Sequence, residues 1–173
     1  MTSTYNRPIS AVSDNRDPNT GALGEDLVAQ WLQSQGWQIL YRRWRCRWGE
    51  IDIIAQQSNA KSQPTLAFVE VKTRSRSNWD ADGLLSINRQ KRSKLLQTSE
   101  IFLADHPELA DMTCRFDVAL VCCQQLPRNP QKLFDLSQRS PARPPSTITI
   151  GLPVTIAGYH MVLKDYIASA FDE

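Results

Sequence analysis

The sequence predicts one α/β domain in which helices pack against a mixed central sheet. Its apolar patterns follow the order helix, strands, helix, strand, which is typical of that class. The 173 residues, 41% of them hydrophobic, suffice for one sizeable core and not for two. We expect residues 21–173 to form this domain, and residues 1–20, which contain no apolar run, to be a disordered tail.

The first predicted helix lies in the stretch GALGEDLVAQWLQSQGW. Its apolar residues recur at helical spacing, and Gly36 is placed to end it. Of its two acidic residues, Glu25 falls on the border of the apolar stripe, whereas Asp26 points away from it. Glu25 can therefore face the interior.

The next three stretches predict an extended segment with a turn, followed by two strands that form a hairpin. They read QILYRRWRCRW, GEIDIIA and TLAFVEVKT. The first half of TLAFVEVKT is apolar on both faces, as in central strands. Its charged residues, Glu70 and Lys72, come toward its end and share one face.

A basic helix and further strands complete the predicted domain. We expect the helix to begin after Ser86 as N-cap and to run through INRQKRSKLLQTSEIFLADH. Its apolar stripe contains Ile87, Leu95, Leu96, Phe102 and Leu103. RFDVALVCC predicts another strand, and residues 124–146 a proline-rich loop or insertion. TITI and YHMVLKDYIASAF predict late strands, the second with room for a short terminal helix.

The charges that end the TLAFVEVKT strand need a partner or a purpose, because an unpaired buried charge is costly. The GEIDIIA strand offers Asp52, which lies beside Glu70 if the hairpin register allows. Two facing carboxylates repel each other, a divalent cation removes that repulsion, and an oxygen-only ligand set suits Mg²⁺ or Mn²⁺. Asp52, Glu70 and the backbone carbonyl of Val71 are therefore candidate metal ligands, with Glu25 as a further one.

Such a cluster has the components that phosphodiester hydrolysis requires. The metal would polarise the phosphate and activate a bound water, which Lys72 could orient or deprotonate. Glu25 could complete the metal site or hold a coordinated water. The E-x-K pattern is short, however, and taken alone it favours an ordinary ion pair between Glu70 and Lys72 at the strand end.

Positive charge is concentrated around these residues. The formal net charge is only +2, but residues 42–94 contain twelve Lys or Arg and five acids, an excess of seven. Beside a metal site, we expect basic side chains to contact nucleic-acid phosphates. The candidates are Arg43, Arg45, Arg47, Arg74, Arg76, Lys91 and Lys94.

Two tryptophans, Trp44 and Trp48, alternate with the arginines of RRWRCRW. In one interpretation the arginines contact phosphates and a tryptophan stacks on an unpaired base. In the other the segment is an edge strand with a solvated basic face and its tryptophans in the core. The sequence leaves both interpretations open.

Several of these stretches together resemble the YraN family of small bacterial proteins. They are GALGEDLVAQWLQSQGW, GEIDIIA, FVEVKTR, RFDVAL and the basic helix that carries Lys91 and Lys94. The resemblance runs from about Gly21 to Cys123 and includes the terminal IASAF. The chain differs where RRWRCRW replaces a common Arg-Asn pair of the family, and in its long proline-rich stretch.

The resemblance implies a restriction-endonuclease-like fold, similar to that of the archaeal Holliday-junction resolvases with their D-x(n)-E-x-K nuclease motif. It implies that Asp52 and Glu70 bind the metal and that Lys72 is the catalytic lysine. Glu25 matches the helix glutamate that resolvases place next to the metal. Lys91 is expected to face the site by its position in the family pattern.

These patterns predict a DNA-binding endonuclease that depends on Mg²⁺ or Mn²⁺. The resemblance implies that its substrate is branched or otherwise non-duplex DNA. Since one metal site cuts one strand, symmetric incision would need a homodimer. Two alternatives stay open: a nucleic-acid-binding module that keeps the fold without cutting, and a purely structural protein.

The remaining signals are negative or structural. The four cysteines form no C-x-x-C pair, and neither a signal peptide nor an apolar run near the roughly 20 residues of a membrane span is evident. We expect a reduced, cytoplasmic protein without membrane contact. Arg115 and Asp117 share a strand face and should pair for structural support, while His106 and His160 lack metal-ligand spacing.

Overall fold

A computed structural model describes residues 19–58, 63–75, 88–127 and 148–171 of the chain. These residues form a six-stranded sheet with one long helix on each face, so the predicted α/β class is confirmed. The architecture is consistent with a restriction-endonuclease-like domain. The helices and strands are α1 (Thr20–Ser34), β1 (Gln38–Cys46), β2 (Gly49–Gln57), β3 (Thr65–Ser75), α2 (Arg89–Asp105), β4 (Thr113–Gln125), β5 (Pro153–Ile156) and β6 (Tyr159–Phe171).

Several predictions from the sequence concern residues that the structure does not describe. Most of the predicted tail, most of the proline-rich stretch, and Arg76 lie outside the described residues. None of the described helices is long and apolar enough to cross a bilayer.

The strand order is β1-β2-β3-β4-β6-β5. The predicted hairpin of β2 and β3 is confirmed as an antiparallel pair, whereas β3 and β4 run parallel from Thr65↔Thr113 to Ser75↔Cys123. Helices cover both faces of this central pair. That position explains why the β3 and β4 sequences are apolar on both faces.

Each face of the sheet has its own hydrophobic core. Alternate residues of β3 and β4 enter one core or the other, as the period of two requires, whereas Ile51 and Ile54 of β2, three residues apart, enter the same core. The α1 side is built on Leu27, Val28, Leu32, Ile53, Val69 and Val121. The α2 side is built on Ile51, Ile54, Leu66, Phe68, Phe102 and Phe116.

The helix ends follow from capping residues. The Asn19 side chain accepts hydrogen bonds from the backbone N–H groups of Gly21 and Ala22, and α1 stops just before Gly36, whose φ is +83°. In α2 the N-cap is Asn88 rather than the predicted Ser86, because the Asn88 side chain accepts from the Lys91 N–H.

The C-terminal segment differs from the prediction at two points. The expected short terminal helix is wrong: β6 continues as a strand to Phe171 and stays paired with β4, with Phe171 stacked on Phe116 at 5.0 Å between ring centroids. The described residues of TITI, 148–150, precede β5 and form no strand. The packing of Phe171 in the α2-side core outweighs the helical propensity of the alanine-containing end.

A buried carboxylate, Asp117, holds β6 to β4 where their register shifts. It accepts hydrogen bonds from the Tyr166 hydroxyl (2.6 Å), the Ser169 N–H (2.9 Å) and Arg115 Nε (3.1 Å). The predicted structural pairing of Arg115 with Asp117 is thus confirmed. Burial, and then the negative charge of Asp117, raise the pKa of Tyr166, so its hydroxyl keeps its proton and remains a donor.

Helix α1 approaches β3 closely at Gly24. A Cβ atom at this position would lie 2.0 Å from Thr73 Oγ1, and that oxygen is buried without a hydrogen-bond partner among the described residues. Only glycine fits this contact without a shift of Thr73. The contact therefore sets how near Glu25, the next residue, comes to the sheet.

Gly24→Ala is expected to lower the free energy of unfolding by roughly 1–3 kcal/mol, because overpacking outweighs the helix propensity of alanine. Denaturant unfolding measures the change. The same substitution in a Thr73→Ala background should cost less, because the clashing hydroxyl is gone. A Gly24→Ala variant more stable than the wild type would contradict this contact.

Candidate functional site at the fork between two strands

The strands β2 and β3 separate at the position of the predicted acidic residues. Their pairing runs from Gln57↔Thr65 to Ile53↔Val69. Beyond that pair, β2 continues next to β1 alone, and β3 continues next to β4 alone. We call this opening the fork, and Asp52 and Glu70, the first residues past the last pair, the acid pair.

An irregular residue on β1 faces the fork. Arg43 has a φ of +51°, a left-handed conformation that a non-glycine residue rarely adopts. It lies between the pairs Arg42↔Ile53 and Trp44↔Ile51, and is thus opposite Asp52. The distortion of the outer strand and the opening of the sheet therefore occur at the same level.

The left-handed residue reverses the alternation of side chains along β1. Tyr41 and Trp44, which are three residues apart, both make edge contacts with Phe102, at 5.3 Å between centroids. In a regular strand they would point to opposite faces. The same reversal lets the neighbours Arg42 and Arg43 both turn toward the acidic residues of α1.

Asp52 occupies the gap that the separating strands leave. Its Oδ2 accepts a hydrogen bond from the Val71 N–H at 2.7 Å, a donor that would otherwise lack a partner in β2. Burial, and next the nearby Glu70 carboxylate, raise the pKa of Asp52 from 3.8 to about 7, with a smaller opposing effect from the Val71 hydrogen bond. Near neutral pH, the Asp52 carboxyl is therefore poised between its two protonation states.

Glu70 is only 4% exposed and lies between two ammonium groups. Lys72 Nζ donates to its Oε1 at 2.5 Å. Lys91 Nζ lies 3.1 Å from Oε2. Each carboxylate oxygen of Glu70 therefore has an ammonium neighbour, which offsets the cost of burying its charge.

Glu25 lies close to Asp52 but has a different partner. Its carboxylate accepts two hydrogen bonds from Arg43, at 2.6 Å from Nε and 3.2 Å from Nη2. These bonds raise the pKa of Arg43, and the charge of Glu25 makes a small contribution to the raised pKa of Asp52. In the described ranges, no three His, Cys, Asp or Glu residues form a group arranged to hold a metal ion.

The structure thus brings Asp52, Glu70, Lys72 and Lys91 together, and leaves Glu25 bound to Arg43. The two carboxylates of the acid pair are hard oxygen donors of the kind that Mg²⁺ and Mn²⁺ prefer. A cation bound between the two carboxylates would offset the burial and the repulsion that raise the pKa of Asp52. The metal ligands predicted from the sequence remain a prediction.

The other predicted phosphate-binding residues lie in different surroundings. Arg45 pairs with Glu50 at 2.9 Å, and the Arg47 guanidinium lies 5.2 Å from the centre of the Trp48 ring. Arg74 donates to the backbone carbonyl of Thr73 at 3.2 Å. Lys94 lies on α2 one turn after its neighbour in the site, Lys91.

The role of Arg43 was not predicted. It was a candidate phosphate contact, yet it holds Glu25 and distorts β1 opposite Asp52. No local pattern in RRWRCRW distinguishes it from the neighbouring arginines, because its partner is 18 residues away along the chain. Only the tertiary fold reveals this contact.

Comparison with known proteins gives a consistent result. Residues 24–121 match the model of the family described as "Uncharacterised protein family UPF0102". The chain is 53% identical over 160 residues to a UPF0102 protein of Trichodesmium erythraeum, with 88% of each chain covered. It is 48% identical to one of Acaryochloris marina, covering 91% of this chain and 92% of the relative. A relative in Synechocystis is 43% identical, with coverages of 87% and 96%.

Asp52→Asn is expected to stabilise the protein, and more at pH 8 than at pH 5. Because the folded-state pKa of Asp52 is raised to about 7, the unfolded chain loses its proton first as pH rises, and the wild type loses stability between about pH 4 and 7. The neutral asparagine avoids this loss, and its side-chain oxygen can still accept from Val71 N–H.

The advantage of Asp52→Asn should grow by roughly 2.5–3 kcal/mol between pH 5 and pH 8, since the wild type loses about 1.36 kcal/mol per pH unit up to pH 7. Chemical unfolding at both pH values measures it. Asp111→Asn, at an exposed position, is the matched control and should show no such growth. An equal effect of Asp52→Asn at both pH values would contradict the raised pKa.

Proposed function

The chain belongs to the UPF0102 family, also called the YraN family, which confirms the resemblance seen in its motifs, and from this basis we propose that it is a metal-dependent endonuclease acting on DNA. The proposed substrate is branched or otherwise non-duplex DNA, and the proposed cofactor is Mg²⁺ or Mn²⁺. The description of the family names no activity, so the acid pair carries the proposed function.

One observation carries the proposal: two carboxylates converge, partly or fully buried, where the sheet opens. A strand-end ion pair accounts for Glu70 and Lys72 but not for Asp52, whose burial, and next the charge of Glu70, raise its pKa to about 7. Such an arrangement destabilises the protein in the absence of a cation. Sites that conflict with stability in this way are typical of function.

The residues of the fork fit the parts that phosphodiester hydrolysis requires. Asp52, Glu70 and the Val71 carbonyl would hold the divalent cation, which when bound polarises the phosphate and lowers the pKa of a water. Lys72 Nζ, fixed by Glu70 Oε1, would hydrogen-bond the attacking water and orient it toward the phosphorus. The Lys91 ammonium would offset charge on the non-bridging phosphate oxygens.

A second candidate function is a DNA-binding module that does not cut. It is favoured by the neutralisation of Glu70, whose two oxygens already lie next to the Lys72 and Lys91 ammonium groups. It is also favoured by the position of Glu25, which is bound to Arg43. Binding is common to both candidates, so only a cleavage assay separates them.

The expected activity is cleavage of labelled DNA in Mn²⁺, with four-way junction, flap and plain duplex compared in parallel. Asp52→Asn and Lys72→Ala should each lower the rate at least about 100-fold, because each removes part of the charge stabilisation or water orientation. Lys164→Ala, an exposed lysine on β6, is the matched control and should cut normally. Binding of DNA without cleavage by every protein, wild type included, would favour the second candidate.

A homodimer is also proposed, because paired cuts in two strands need two acid pairs. Sedimentation with and without junction DNA measures the assembly. Two copies for each junction is the expected result. A monomer under both conditions would contradict the homodimer while leaving single-strand cleavage possible.

A further inference from the structure

The β1–β2 hairpin presents an exposed tryptophan at its tip. The last strand pair is Cys46↔Gly49, so Arg47 and Trp48 form the connecting loop, which we call the hairpin tip. Trp48 is 45% exposed. Of the two interpretations left open by the sequence, the core position holds for Trp44, which packs on Phe102, and not for Trp48.

The other described tryptophans have structural roles. Trp31 packs against Tyr166 at 4.6 Å between ring centroids, and Trp37 is buried in the α1-side core with Arg115 over its ring. Trp48 instead contacts the Arg47 guanidinium, and its backbone N–H donates to Cys46 Sγ. Neither contact requires an indole side chain, so the fold does not explain why a tryptophan stands there.

The geometry of the hairpin turn does not explain the tryptophan at position 48 either. Two-residue hairpin loops favour glycine, asparagine and aspartate, which adopt positive φ easily. Neither Arg47 nor Trp48 is among the described residues with positive φ. A small polar residue would close this hairpin at least as well, and would not expose an aromatic ring to water.

Two independent paths place the hairpin tip about 10 Å from the acid pair. Along β2, Gly49 is three residues before Asp52, which at about 3.3 Å per residue is roughly 10 Å. Along α2, Lys91 contacts Glu70, and Thr98, seven residues later, lies against Gly49. Seven residues at about 1.5 Å each also give roughly 10 Å.

Helix α2 therefore extends from the acid pair to the hairpin tip and carries positive charge along the way. Lys91 lies at one end of this path. Lys94 lies within it, and its backbone carbonyl accepts from Thr98 Oγ1 at 2.6 Å. A strand of B-form DNA, with one phosphate per about 3.4 Å of helix axis, would span the distance in about three nucleotides, and an extended unpaired strand would need fewer.

We propose that Trp48 is a stacking platform for an unpaired base of the DNA, and that Arg47 beside it attracts the adjoining phosphate. This inference rests on the proposed function and adds to it a determinant of substrate structure. Every base has a flat π-face, so stacking recognises an unpaired base without reading sequence. In paired duplex the bases stack on one another, and their faces are unavailable to the indole.

The surroundings of Trp48 favour a nucleic acid over a protein partner. Protein interfaces that are stable bury about 800 Å² on each side around an apolar centre. Trp48 is instead a single aromatic residue next to Arg47 and near Arg45, whose side chain is 69% exposed. An exposed ring in contact with a guanidinium group is a combination that single-stranded DNA sites use.

The test is a binding measurement on a forked duplex with unpaired arms and on a fully paired duplex of equal length. Fluorescence anisotropy is recorded in Ca²⁺, with the DNA checked afterwards for cleavage. Trp48→Ala should weaken binding of the forked duplex by about 5- to 100-fold, the effect of losing one stacked base, and binding of the paired duplex by less than about 2-fold. Trp48→Phe, which keeps a ring, should retain most of the affinity.

The salt dependence distinguishes stacking from phosphate contact. Trp48→Ala should leave the slope of log affinity against log salt unchanged, whereas Arg47→Ala should reduce it by about 0.7–0.9. Leu152→Ala, which removes a 58% exposed side chain next to the edge strand β5, is the matched control and should bind both substrates normally.

The outcomes separate this inference from the proposed function. If the wild type binds DNA and Trp48→Ala binds both substrates normally, or loses affinity equally for both, the stacking platform is wrong and the proposed function stands. If the wild type binds neither substrate, both the stacking platform and the proposed function are overturned. Thermal unfolding of each variant verifies that the exposed substitutions leave the fold intact.

Discussion

The repulsion between Asp52 and Glu70 is the constraint on which the site depends. Both carboxylates lie where β2 and β3 stop pairing, and burial there raises the pKa of Asp52 to about 7. The chain offsets this cost with the Val71 N–H on one acid and two lysines beside the other. A fold selected for stability alone would place apolar side chains here, as it does at the pair Ile53↔Val69 next to them.

The rest of the sheet holds this strained arrangement in place. β3 is anchored along its length by β4, so the end that carries Glu70 stays ordered after β2 has left it. On the other side, Arg43 adopts a left-handed conformation and binds Glu25 of α1. Helix α1 is in turn pressed against β3 at Gly24. The opening of the fork is therefore linked to the packing of α1 against the sheet, and is not a local irregularity of one hairpin.

Periodicity predicted most of the fold, because both faces of the sheet are buried and helices and strands differ in their apolar spacing. The shared face of Glu70 and Lys72 follows from a period of two, and the nearness of Asp52 follows from the register of the β2–β3 hairpin. The left-handed Arg43 and its contact with Glu25 could not be predicted, since Glu25 lies 18 residues away on a helix. The terminal strand was mistaken for a helix because pairing with β4 is likewise non-local.

The proposed function requires the acid pair to bind a divalent cation, and calorimetric titration of the DNA-free protein with Mn²⁺ measures that binding. We expect binding to one site for each chain at roughly micromolar to millimolar concentration, lost in both Asp52→Asn and Glu70→Gln and kept in Asp111→Asn. Absence of binding in the wild type, or binding that survives both substitutions, would contradict it. In that case Glu70, Lys72 and Lys91 form an ionic cluster and nothing more.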